Sequence, residues 1–159
     1  EAMRTTGLQI GDGKPVQLAT LRLLDLDGKP VSGVPMGGDA IFELEVISSR
    51  KINHPAFGVR VHTALGQDIV AWRTQESYGL MPSISKGGIV RLHVRKLNLL
   101  PGTYYVAVGI SDGYELLDLV EDALDLEVTP EALYGTESFS SFRRSEVMFT
   151  PCSWDTEYS

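Results

Sequence analysis

The stretch LNLLPGTYYVAVGISD, residues 97–112, decides the fold. Pro101-Gly102 is a turn signal, and the residues after it alternate strictly. Tyr104, Val106, Val108 and Ile110 fall on one face; Thr103, Tyr105, Ala107, Gly109 and Ser111 fall on the other. Period-two alternation of this length marks a strand with one buried face, and a Pro-Gly pair cannot lie inside it, so the turn fixes the register. The second face lacks the fringe of Lys and Glu that an ordinary solvated strand carries. It presents a ring beside two very small residues and a hydroxyl, which leaves open space next to Tyr105. Tyr104, just after the turn, stands where a tyrosine corner is expected, with its hydroxyl returning to the nearby backbone.

Working outward, further runs read as strands of the same kind. VQLATLRLLDL (16–26) places Ala19, Leu21 and Leu23 on one face and ends at the turn pair Asp27-Gly28. AIFELEVIS (40–48) turns Phe42, Leu44 and Val46 inward and Glu43 and Glu45 outward. AFGVRVHTALG (56–66) sets Phe57, Val59, Val61 and Thr63 against Gly58, Arg60 and His62, and a short turn joins it to IVAWRTQ (69–75) as a hairpin. IVRLHVRKL (89–97) sets Val90, Leu92 and Val94 against Arg91, His93 and Arg95. KPVSGVPMGGD (29–39) and ESYGLMPSISKGG (76–88) read as loops. YELLDLVED (114–122) reads as a helical turn or an irregular crossing, followed by a strand in ALDLEV (123–128). Seven or eight short strands with hairpin turns and little helix predict an all-β fold, an immunoglobulin-like antiparallel β-sandwich. The first dozen residues have no periodicity, so 1–15 are expected to be a linker and 16–159 the sandwich. Within it, 131–159 is a tail whose short apolar strand, in SEVMFTPCSW (145–154), is open either to folding back on its own sandwich or to exchange in a dimer.

Composition narrows the class. At 159 residues the chain suits one domain that buries roughly 70% of its unfolded surface. A formal charge of −7 argues against a nucleic-acid partner. Cys152 is the sole cysteine, so no internal disulfide forms, which suits a reducing, cytoplasmic setting. No apolar run approaches the ~20 residues of a membrane span, and none reads as a leader peptide.

The residues also carry a resemblance. AIFELEV (40–46), HPAFGVRVHTALGQDIV (54–70), GGIVRLHVRKLNLLPGTYYVAVGISDG (87–113) and EDALDLEV (121–128) follow in an order similar to one domain family. It resembles the C-terminal domain of the ATP-binding subunit of O-antigen polysaccharide ABC transporters, the Wzt family. The match is densest at F-G-V-x-V (57–61) and L-x-P-G-x-Y (99–104). The resemblance implies a non-catalytic carbohydrate-binding module downstream of an ATPase domain. Such a module takes the finished end of a lipid-linked O-antigen polysaccharide at the cytoplasmic face of the inner membrane and couples it to export. It also implies a homodimer that works with the transporter's membrane subunit. No G-x-x-x-x-G-K-[ST] motif occurs, so this chain is not expected to hydrolyse ATP.

In an immunoglobulin-like order, residues 57–65, 69–75 and 104–111 share one sheet, and 16–26, 40–48 and 89–97 the other. On the second sheet, Glu43 and Glu45 face Arg91, His93 and Arg95, an ordinary way to solvate an outer surface. On the first, Arg60, His62, Tyr105, Ser111 and one of Trp72 and Arg73 collect around Gly58, Ala107 and Gly109. Sugars are bound by stacking a ring on their C–H face and by planar side chains bonding their hydroxyls. Small residues let a pyranose approach the sheet, and Arg would also suit an anionic substituent. Tyr78, in the long loop, is placed as a cap on this trough.

No paired carboxylates framed by aromatic subsites suggest a glycosidase. His54, His62 and His93 are scattered, and Asp25, Asp27 and Asp39 belong to turns, so neither metal nor cofactor is expected. No nucleophile-elbow motif is present. The competing reading is a structural module that dimerises or docks to the transporter without touching sugar.

Overall fold

The computed structural model describes residues 3–5, 13–131, 146–149 and 152–157. Among these, nine strands form two sheets. One sheet has the order β1 (Met3–Thr5), β2 (Val16–Leu24), β4 (Ala40–Ser48) and β7 (Gly87–Val94). The other has the order β3 (Gly33–Pro35), β9 (Leu116–Thr129), β8 (Gly102–Ser111), β5 (Ala56–His62) and β6 (Asp68–Arg73). Neighbours are antiparallel except β3 with β9. The inward positions of both sheets, including Phe42, Leu44, Val61, Val106, Ile110, Leu124 and Leu126, close into one core, as in a β-sandwich.

The alternation in β8 falls as the sequence predicts. Tyr104, Val106, Val108 and Ile110 are buried in the core, and the Tyr104 hydroxyl donates to the Leu100 carbonyl at 2.6 Å. This is the tyrosine corner. Burial pushes the Tyr104 phenol above the ordinary tyrosine range, so the hydroxyl keeps its proton where the unfolded chain would lose it. Its contribution is therefore present below about pH 10 and is lost as pH rises through the raised value. Tyr104→Phe is expected to lower stability by about 1–2 kcal/mol at neutral pH by leaving a buried carbonyl unpaired. Chemical denaturation checks this, and the gap from wild type should shrink in strong alkali.

Four expectations change. The predicted inward set Ala19, Leu21 and Leu23 is broken by a bulge between Leu18 and Thr20. Leu18 and Leu21 both reach the core, opposite Val46 and Leu44, and Ala19 is the inserted residue. Met3–Thr5, in the expected linker, pairs with Arg22–Thr20 as an edge strand. Gly33–Pro35, read as loop, pairs parallel with Glu127–Thr129. Leu116–Asp122, read as a helical turn or crossing, is the first half of a fourteen-residue strand.

That last change matters most. Asp118 lies opposite Ile110 and so points inward from β9. Its carboxylate, 1% exposed, accepts the Leu18 amide at 2.8 Å and the Lys14 ammonium at 2.7 Å. One buried acid thus supplies a partner for the backbone at the β2 bulge and ties the sheets together.

On the outer surface of the smaller sheet, Arg91 Nε donates to Glu43 at 2.9 Å, as expected. Glu45 instead lies opposite Ile89 and accepts from the Thr20 hydroxyl at 3.1 Å. The 131–159 segment is described only in part. Residues 146–149 lie along Asn98–Leu100 of the same chain, with the Leu100 amide donating to Val147 at 2.8 Å.

Candidate functional site

The outer face of the five-stranded sheet follows from register. Along β5 and β8 the outward pairs are His62 with Tyr105, Arg60 with Ala107, Gly58 with Gly109 and Ala56 with Ser111. The two glycines at the centre carry no side chain of their own, and long side chains from the flanking strands lean over the gap they leave. Two adjoining depressions of about 130 and 190 Å³ fill that gap, sharing Gly58, Arg73 and Gly109. A Cβ built on Gly58 would meet nothing closer than 3.9 Å, which measures the clearance directly.

β6 supplies one wall. Arg73 pairs with Gly58 and faces outward, whereas Trp72 pairs with Val59 and faces inward. The choice left open in the sequence falls to Arg73. Trp72 is excluded from the trough because its ring packs on Phe42 of the opposite sheet, with centroids 6.0 Å apart. Tyr78 is likewise not its cap: it lines the cleft between the sheets beside Trp72.

β9 supplies the other wall, which periodicity did not reveal. Leu119 pairs with Gly109 and Leu116 with Ser111; both are outward, 45% and 59% exposed, and line the depressions. Two exposed leucines beside a glycine floor form an apolar strip of the kind a C–H face can cover.

The polar groups are held in defined ways. Arg60 Nε lies 3.2 Å from Asp68 Oδ1, off the hydrogen-bonding direction, and Arg73 bonds Glu76 at 3.3 Å. Each guanidinium therefore has a carboxylate beside it, so the trough carries no uncompensated cationic pair. Exposed pairs of this kind contribute little to stability and leave the Arg forks able to turn to a ligand. His62 stacks on Tyr105 at 5.9 Å and 27°, and its ring nitrogens face the carbonyls of Thr63 at 2.9 Å and Glu121 at 3.3 Å. It acts as a fixed backing for Tyr105 rather than a free donor. Ser111 Oγ accepts the Gly113 amide at 3.3 Å at the far rim. Among the described residues, no group of three or more His, Cys, Asp or Glu is set to hold a metal ion.

A family model described as the Wzt C-terminal domain matches residues 10–142. The chain belongs to the Wzt C-terminal domain family. The family is one of carbohydrate-binding, transporter-associated domains, non-catalytic in themselves. The crystal structure of the C-terminal domain of Wzt aligns with a TM-score of 0.63 at 17% identity, covering 89% of each chain, which shows the shared fold. A CARDB domain from Pyrococcus furiosus, solved in complex with di-metal ions, aligns with a TM-score of 0.44 at 12% identity, over 76% of this chain and 94% of that one. The comparison with curated proteins returns no match. No helix among the described residues of this Wzt C-terminal domain is long and apolar enough to cross a membrane.

Proposed function

We propose that the trough binds the completed, terminally modified end of a lipid-linked O-antigen polysaccharide and couples it to export by an ABC transporter. The observation that carries this is the glycine floor flanked by two arginines and two exposed leucines, with the His62–Tyr105 stack further along the same sheet face, in a chain of this family. Tyr105 offers the ring face, Leu116 and Leu119 the apolar contact, and Arg60 and Arg73 the planar donors to hydroxyls. In this reading the domain acts at the cytoplasmic face, as a homodimer, beside an ATPase domain of the same subunit and the transporter's membrane subunit.

Titrating the domain with the O-polysaccharide of its own host by calorimetry tests the reading. Tyr105→Ala and Arg60→Ala are each expected to weaken binding about tenfold, or ~1.4 kcal/mol, with melting temperature unchanged within a few degrees. The exposed Leu116 and Leu119 would equally suit a docking module that never touches sugar. Absence of binding would favour that alternative, and affinity indifferent to every residue on this face would place the sugar elsewhere.

A further inference from the structure

A second cavity, of about 290 Å³, lies on the inner side of β6, between the two sheets where the edge strands β6 and β7 face each other, with Arg73 at the rim of both it and the trough. Phe57 lies at its floor, Trp72 forms one wall and Val90 and Leu92 the other, and Tyr78 and Met81 close it from the 78–86 loop. The walls are fixed. Trp72 is packed on Phe42, and the loop is tied down by the Ile52–Ile84 backbone pair at 2.8 and 3.0 Å and by His54 against the Met81 carbonyl at 3.2 Å. Its volume is close to the ~300 Å³ at which small-molecule sites begin, room for a ring or a short chain.

The polar groups around it decide the ligand class. Thr74 Oγ1 accepts the Phe57 amide at 3.0 Å, and Ser77 Oγ donates to the Arg73 carbonyl at 3.1 Å. Arg73 and Arg91, at the rim, are paired with Glu76 and Glu43. A sugar ring entering here would lose the water on its hydroxyls and find Thr74 and Ser77 already bonded to the backbone. The exposed Arg73, Arg91 and His93 stand only at the rim, where they can meet a ligand's polar end. An anion would find cations only at the rim, each beside a carboxylate, and none inside the cleft. An apolar group would cover Trp72, Phe57 and Leu92 and leave no polar atom stranded. We propose that this cleft is a second ligand site, separate from the trough, which takes an uncharged alkyl or aryl group and leaves the polar end of that ligand in solvent.

Trp72 reports on its own cleft. The chain has two tryptophans, so Trp154→Phe leaves Trp72 as the sole indole. Titrating that variant with n-octyl β-D-glucopyranoside below its micelle concentration should give a saturable change in emission, and glucose over the same range none. Val90→Phe, which fills the cleft, should weaken the response at least tenfold. Met81→Phe fills it from the loop and gives the same reading if the β7 variant does not fold. Gly109→Val, in the trough, should leave the titration unchanged. A response that never saturates, one that glucose reproduces, or one lost with Gly109→Val but untouched by both filling variants overturns the proposal.

Discussion

Asp118→Ala should remove about 2–3 kcal/mol of stability, the upper part of the range for leaving a buried hydrogen-bonding group without its partner. The carboxylate is almost wholly enclosed and holds two partners, the Leu18 amide on the far sheet and the ammonium of Lys14 just before β2. Alanine leaves the buried amide with no acceptor at the β2 bulge. The expected drop in melting temperature is roughly 5–10 °C for a chain of this size. Asp118→Asn separates the two contacts. An amide oxygen still accepts from Leu18 but has no charge for Lys14, whose side chain is 45% exposed. The Asn variant should therefore recover most of the loss, because the surviving bond is the buried one. Equal destabilisation by both substitutions would show that charge, not the Leu18 bond, carries the effect.

Gly109→Val should reduce polysaccharide affinity at least tenfold, ~1.4 kcal/mol or more, with no loss of fold. A Cβ at this position would lie 3.5 Å from Leu116 Cδ1 and 4.0 Å from Leu119 Cδ1, ordinary contacts with the ends of flexible side chains. A glycine inside a strand is about 0.5–1 kcal/mol less favourable than a residue with a side chain, so the melting temperature should hold or rise. The added methyls would stand where the proposed ligand lies. Gly58→Val repeats the test from the neighbouring strand, where the nearest atoms are 3.9 Å away. Calorimetry and thermal melts on the same samples decide it: unaltered affinity in both variants would place the ligand elsewhere.

Much of the sandwich was legible because β4, β5, β7 and β8 each bury one face and expose the other, so parity alone places their residues. The floor of the trough came with that parity. Its walls did not, for different reasons. In β6 every residue from Ile69 to Trp72 is only partly buried, so local alternation does not choose between Trp72 and Arg73. The choice rests on pairing with Val59 and Gly58, a non-local fact. In β9 the polarity is inverted, with Asp118 inside and Leu119 outside, and register shifts interrupt the ladder further along. A strand that buries its acid and exposes its leucines reads as anything but a strand. The edge strands Met3–Thr5 and Gly33–Pro35 are too short to show a period at all.

The adjacency of Asp118 and Leu119 has a consequence for the thermodynamics of recognition. Successive residues of a strand point to opposite faces, so the carboxylate that locks β9 to the far sheet also fixes the backbone that carries the leucine wall. A ligand entering the trough meets a wall whose position the core has already set, and little conformational entropy is spent on ordering it. Association should then be limited by encounter and desolvation rather than by rearrangement, with free and occupied forms superposing closely along β9.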